Sequence, residues 1–269
     1  MDLAAYLDRI GFTGQVTPDR TTLAAVQRGH LLSIPYENLD VQLGRPSTTD
    51  PAAAFDKLVT RRRGGWCYEM NGTMGLALEM IGFKVTRLTG AVMRSMAGDG
   101  MIGNHLVLRV DLPEGPVLAD VGLGDGPFEP FELIAGDHAA REIGFRVERA
   151  DGGWWRIHNH DLCRPPSFDV HPELTGEDVL ARKCAFLQTD PSSMFVQTLI
   201  CQRFTPDGHV DLMGRVLREV GQGGVTERTL ASADELVAVL SDVFGLDEPE
   251  AATLWPKICA RHALVFGAA

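Results

Sequence analysis

The spacing of apolar residues changes period along the chain, and that change limits the folds open to it. In the first third it follows the 3.6-residue turn of a helix. Asp2–Ile10 places Leu3, Tyr6, Leu7 and Ile10 on one stripe and stops at Gly11. Thr21–Leu32 repeats the pattern, and Ser33-Ile34-Pro35 ends it, because the residue before a proline avoids helical geometry. A third helix starts at Asp50-Pro51 and runs through Phe55, Leu58 and Val59. A fourth covers Cys67–Ile81, with Met70, Met74, Ala77, Leu78 and Ile81 on one face and Gly82 as its stop. Further on the period falls to two. Leu106, Leu108, Val110 and Leu112 face one way, and His105, Val107, Arg109 and Asp111 the other. Pro116–Val121 reads as the next strand, and Ile143–Arg149 with Trp154–Asn159 as a hairpin about Asp151-Gly152-Gly153. The last third mixes the two periods. Met194–Phe204 reads as a strand, Thr205-Pro206-Asp207-Gly208 as a turn, and Ser232 with Glu235 as a capping box leading a helix to Gly245.

This pattern predicts an α+β protein with boundaries near 83 and 190: helices over 1–83, an antiparallel sheet or barrel over 84–190, and a mixed unit over 191–269. At 269 residues and 45% hydrophobic content the chain can bury a substantial core. Its 36 acidic against 25 basic side chains leave a formal charge of −11, which repels duplex phosphate and argues against a nucleic-acid partner. No apolar run reaches the ~18 residues of a membrane span. Residues 1–8 lack the basic start and apolar core of a signal peptide. Five cysteines, an odd and scattered set, point to reduced thiols and a cytoplasmic setting.

The densest oddity is Arg61-Arg62-Arg63-Gly64-Gly65-Trp66-Cys67-Tyr68-Glu69-Met70-Asn71-Gly72. Cys67 stands where a Gly-Gly break hands over to a helix. Free N–H groups and the positive end of the dipole there favour a thiolate, and they offer donors to an oxyanion on an attacked carbonyl. A cysteine nucleophile needs a base, and the base an orienting group. If residues 112–115 form the turn, Asp111 faces Pro116 and Val107 faces Asp120. His105 and Asp120 then share a face on a diagonal of roughly 7–8 Å, and a slip of one residue would separate them. Zinc on Cys67, His105 and Asp120 is disfavoured, because no second cysteine stands at CxxC spacing. His158 and His160 read as an exposed hairpin face, and Cys163, Cys184, Cys201 and Cys259 as core. Of the arginine run, at least one guanidinium suits a buried acid such as Glu37 or Glu69. Gly122, Gly124 and Gly126 give a loop that a ligand can approach closely.

These motifs, with Ile34-Pro35-Tyr36-Glu37-Asn38-Leu39, Asn104-His105-Leu106-Val107, Asp120-Val121-Gly122-Leu123-Gly124 and Cys201-Gln202-Arg203-Phe204-Thr205-Pro206-Asp207-Gly208, resemble the arylamine N-acetyltransferases. The resemblance implies a papain- or transglutaminase-like core, with an N-terminal helical bundle, a central antiparallel β-barrel and a C-terminal α/β lid. It implies a catalytic triad of Cys67, His105 and Asp120 that takes an acetyl group from acetyl-CoA, with no metal, and passes it to an arylamine or hydrazine in the manner of xenobiotic metabolism. Tyr36, Leu123 and Phe204 correspond to acceptor-pocket positions, and Asn71, Gly122, Gly124, Gly126 and Phe128 to the coenzyme side. Leu123 and Tyr36 both stand where phenylalanine is common, which widens the pocket and adds a hydroxyl. Lys183, Arg203 and Arg215 are candidates for the coenzyme phosphates. The alternatives are an amide synthase with a longer acyl donor, a cysteine hydrolase or transglutaminase-like enzyme, and a binding protein with a structural Cys67.

Overall fold

Three aspartates start three of the helices of the first third. In the computed structural model, which describes residues 1–139 and 144–267, Asp2 accepts the Ala4 N–H and begins α1 (Leu3–Arg9). Asp19 accepts the Thr22 N–H and begins α2 (Arg20–Ser33). The short β1 (Tyr36–Glu37) and α3 (Leu39–Gln42) follow. Asp50, with Pro51 at the first helical position, opens α4 (Pro51–Phe55). The helix expected to run on through Val59 widens instead to π geometry over Asp56–Thr60, which buries Lys57 together with Leu58 and Val59. Next comes α5 (Cys67–Ile81), closed by Gly82 at φ +109°, a left-handed position that suits glycine.

The middle third supplies β2 (Lys84–Val92), the one-turn α6 (Arg94–Ala97), β3 (His105–Leu112), β4 (Gly115–Ala119), β5 (Gly136–His138), β6 (Phe145–Arg149), β7 (Trp155–His158) and β8 (Ser167–Val170). They form one antiparallel sheet in the order β4-β3-β2-β8-β7-β6-β5, curled into a half-barrel. The pairs Asp111↔Pro116 and Leu108↔Ala119 give the predicted register of β3 on β4, although the turn is tighter than expected, since Leu112 already pairs Gly115. The β6–β7 hairpin pairs Arg149 with Trp155; Ile143, expected to start its first strand, lies outside the described residues. Helix α7 (Glu177–Thr189) crosses back toward the first third.

The stretch expected as one strand from Met194 to Phe204 is in fact α8 (Met194–Gln197) followed by β9 (Ile200–Thr205). The reason is tertiary. Ser193 accepts the Phe195 N–H, while the Asn38 amide donates to the carbonyls of Phe195 and Thr198, so residues with strand-like composition gain polar partners for a helical turn. Beyond it β10 (Gly208–Met213), β11 (Val216–Gly221) and β12 (Gly224–Thr229) complete a second sheet, β1-β9-β10-β11-β12. Ser232 caps α9 (Ala233–Asp242), and α10 (Trp255–Phe266) follows.

One core joins α1, α2 and α5 to the half-barrel, so the chemistry-bearing helix and the strands share a single packed interior. A second core, including Leu199, Leu212, Leu236, Leu240 and Phe244, lies under the five-stranded sheet. Cys163, Cys184 and Cys201 are buried as expected, whereas Cys259, expected in the core, is half-buried on α10. Among the described residues no helix is long and apolar enough to cross a membrane.

Candidate active site

The Gly64-Gly65 break lets the chain into α5 pass hard against its neighbours. A Cβ at Gly64 would stand 2.3 Å from the Pro35 carbonyl oxygen, and one at Gly65 2.8 Å from Glu69 Oε2. Glu69 Oε2 accepts the Trp66 N–H at 3.3 Å and closes the first turn. The start of α5 is then stitched to the entry of β3. Tyr68 Oη donates to the Gly103 carbonyl at 2.7 Å, and the Cys67 thiol to that of Asn104 at 3.7 Å. The Asn104 side chain is held to both the N–H and the carbonyl of Val92 on β2. These bonds bring Cys67 to the strand that begins with His105.

His105 Nε2 lies 2.7 Å from Asp120 Oδ2, and both side chains are buried. Room for the ring comes from Gly90, the cross-strand partner of His105, where a Cβ would press on the imidazole at 3.4 Å. Asp120 Oδ1 accepts the Asn71 amide at 2.7 Å and the Gly122 N–H at 2.8 Å, so both carboxylate oxygens are engaged. Asn71 also donates to the Leu106 carbonyl at 2.6 Å and accepts the Val121 N–H at 2.9 Å. Expected on the coenzyme side, the Asn71 amide is fully buried and instead locks α5, β3 and the Asp120 loop together, because these three bonds engage both its oxygen and its nitrogen. Gln27 was missed by sequence reading: its Oε1 accepts the Asp120 N–H at 3.2 Å, and a polar residue inside an apolar helical stripe was the available signal.

A helix start by itself lowers a cysteine pKa. Here burial outweighs it and pushes the Cys67 thiol up, against the Leu106 and Tyr68 N–H groups that favour the thiolate. Only 3% of Cys67 is exposed, so the sulfur is not free in water and its charged form requires an opposite charge close by.

The expected pocket residues divide between two places. Tyr36 is buried in the apolar cluster that holds Cys67 and Trp66, and burial, then the charge of Cys67, pushes its phenol up. Phe128 and Phe204 lie ring to ring at 5.0 Å and, with Gly126, line a cavity of about 310 Å³; Leu123 belongs to the same apolar cluster as both rings. The loop glycines serve close packing. A Cβ at Gly122 would meet the Cys67 backbone at 2.8 Å, and one at Gly124 would meet Gln202 at 2.6 Å. Lys183, Arg203 and Arg215 sit on α7, on β9 and beyond β10. Lys183 donates to the Gly100 carbonyl and Arg215 to that of Leu230. Nor do His158 and His160 form a pair: His158 meets Glu148 at 2.9 Å on the hairpin, and His160 lines the cavity.

Behind Cys67 lies a buried charge network. Lys57 Nζ is 2.8 Å from Asp40, 2.9 Å from Glu69 and 3.7 Å from Glu37. Burial opposes the ammonium charge, but the three acids outweigh it and hold Lys57 well above its ordinary value. Arg63 is the arginine of the run that turns inward, to Glu248 at 2.5 Å, Asp40 at 3.4 Å and Glu37 at 3.8 Å. Lys57 and Glu248 are far apart in the sequence, and neither was legible there as a partner.

The sequence model of a family described as N-acetyltransferase matches residues 19–251. The chain is 36% identical over 265 residues to the arylamine N-acetyltransferase of Mycolicibacterium smegmatis, with 92% of each chain covered. It is 31% identical over 293 residues to human arylamine N-acetyltransferase 1, covering 97% of this chain and 98% of that one. Among solved structures, that of the Mycobacterium marinum arylamine N-acetyltransferase in complex with CoA superposes with a TM-score of 0.86 at 31% identity, over 97% of this chain and 98% of the other.

Proposed function

The chain belongs to the arylamine N-acetyltransferase family, and on that premise we propose that it moves an acetyl group from acetyl-CoA to an aromatic amine or hydrazine through an acetyl-cysteine at Cys67. The observation that carries this reading is the buried His105–Asp120 contact of 2.7 Å, locked by Asn71 at the start of the helix that bears the thiol.

Burial makes an isolated thiolate costly, so the Cys67 proton passes to His105 as the sulfur becomes charged, and the two form a contact ion pair. Asp120 holds the imidazole and balances the charge it gains. The thiolate adds to the thioester carbonyl of acetyl-CoA. N–H groups at the open end of α5 stabilise the resulting oxyanion, and CoA departs as its thiol with the proton from His105. In the second half the amine attacks the acetyl-cysteine carbonyl. Its surplus proton passes to His105 and then to the departing Cys67 sulfur, restoring the starting state. One cleft thus serves two bulky substrates in turn, which gives ping-pong kinetics. The Phe128–Phe204 wall supplies the apolar concavity that an aromatic acceptor needs. Residues 1–83 bring the nucleophile, 84–190 the base and its carboxylate, and 191–269 the cover that carries Phe204. We place the reaction in the cytoplasm, where the five free thiols stay reduced.

Mixing the protein with acetyl-CoA alone tests the scheme. The Cys67 peptide gains the mass of one acetyl group for one hydrogen, and stoichiometric CoA is released before any amine is added. Cys67→Ser and Asp120→Asn lose transfer by on the order of 10⁴-fold, with far-ultraviolet circular dichroism unchanged for Cys67→Ser. An unmodified Cys67 peptide with ready loading from longer acyl donors would identify the amide synthase instead.

A further inference from the structure

Three side chains that the acyl transfer does not use converge at the edge of the cavity that Phe128 and Phe204 line, two of them in its wall. Asp125 comes from the loop after β4, Cys163 from the connection between β7 and β8, and His209 from β10; one ligand atom of each lies within 4.8 Å of the others. All three residues are buried, with Asp125 and His209 each 1% exposed. Neither ring nitrogen of His209 has a hydrogen-bond partner, and Asp125 Oδ1 has none. The other carboxylate oxygen accepts the Arg164 N–H at 2.7 Å and stands 3.9 Å from His209 Nε2. Cys163 is a free thiol.

An imidazole buried with both nitrogens unpaired is costly, and a carboxylate oxygen orphaned beside it compounds the cost. A shared cation satisfies both at once. The donor set of thiolate, imidazole and carboxylate suits zinc or its thiophilic relatives and does not suit magnesium or calcium, which take oxygen ligands. Bound zinc places tetrahedral ligand atoms roughly 3.5 Å apart, so the cluster needs to close by only about an ångström. Two anionic ligands and one neutral one also cancel the charge of a divalent ion, as a dry site requires. Asp125 and Cys163 line the cavity, which gives the ion its path in.

We propose that Asp125, Cys163 and His209 form a site for a zinc-class divalent cation, separate from the Cys67 triad, that ties the loop after Asp120 to β10. Coordination releases the Cys163 thiol proton to solvent, and no step of acetyl transfer needs the ion.

Cadmium titration of the full-length Cys67→Ser protein tests this, because that background removes the catalytic thiol as a competing ligand. One cadmium per chain and a cadmium–thiolate charge-transfer band are expected. Cys163→Ser in the same background abolishes the band, and His209→Gln weakens binding by on the order of 100-fold. Zinc should also raise the thermal midpoint of Cys67→Ser but not that of the Cys163→Ser double variant, which keeps the test usable if His209→Gln fails to fold. The proposal is overturned if the band survives Cys163→Ser, if it appears in the wild type and vanishes with Cys67→Ser, or if no cadmium binds at micromolar concentration. None of these readings depends on turnover, so a failed metal site leaves the acetyltransferase reading intact.

Discussion

The proton on Cys67 has few places to go. Burial favours the neutral thiol, the Tyr68 and Leu106 N–H groups favour the anion, and in the proposed mechanism His105, held by Asp120, takes the proton. A thiol raised by burial stays protonated until alkaline pH unless an imidazolium sits against it. Iodoacetamide should therefore inactivate the wild type at pH 6. In His105→Gln the same reaction should require alkaline pH, as a pH series of alkylation rates with mass mapping of Cys67 will show. Equal rates at pH 6 in both proteins would mean that His105 does not charge the sulfur. At this scale the sequence was informative about chemistry and about the register that sets His105 beside Asp120, but not about what surrounds them. It named Cys67, His105 and Asp120, but Asn71 acquired its place only when α5 packed under the Asp120 loop and its amide met three backbone and carboxylate partners.

At the scale of elements, α2 reaches the core that supports α5 through His30. Tyr6 Oη on α1 is 2.9 Å from His30 Nδ1, and Met70 Sδ on α5 is 3.4 Å from His30 Nε2. Burial, then the nearby Arg9 guanidinium, pushes His30 down from its ordinary 6.5 to about 3. The unfolded chain consequently binds a proton between those values that the folded chain refuses. His30 leaves stability intact above about pH 6.5 and erodes it progressively as pH falls toward 3. Between pH 7 and pH 5 this single group removes on the order of 2 kcal/mol. Urea midpoints at those two pH values should fall less for His30→Leu than for the wild type, even though the variant starts lower because Tyr6 loses its partner. An unchanged pH slope would assign the acid sensitivity to other groups. The helical stripe around His30 was readable as a stripe; its polar member became a buried hydrogen-bonding link only through α1 and α5.

Across the whole molecule, Glu248 fastens the second core to the segment that leads into Cys67. Its carboxylate takes Arg45 at 2.8 and 3.0 Å and Arg63 at 2.5 Å, and Arg63 directly precedes the Gly64-Gly65 break. Glu248→Ala takes the shared partner from both guanidinium groups, leaving Arg45 to Asp40 and Glu250 and the largely buried Arg63 to Asp40 and Glu37, at a cost of about 1–2 kcal/mol. Chemical denaturation should show that loss, and acetyl loading of Cys67 should slow with it; Glu248→Gln, which keeps the shape and one acceptor, should recover part of both. Unaltered loading in a destabilised Glu248→Ala would confine the clamp to stability.

Local rules decided much of this protein. Capping aspartates and serine, the 3.6-residue stripes, the two-residue alternation and the tight turn after Leu112 are short-range effects of backbone geometry, so α1, α2, α5 and the β3–β4 register could be derived from neighbours in the chain. What only the tertiary structure decided depends on partners distant in sequence. Met194–Gln197 turned helical because Asn38 met its carbonyls, and Lys57 became the hub of three acids. Asp125, Cys163 and His209 gathered from three separate stretches. Buried polar groups take whichever partner the fold delivers, since leaving them unpaired costs more than any local preference supplies.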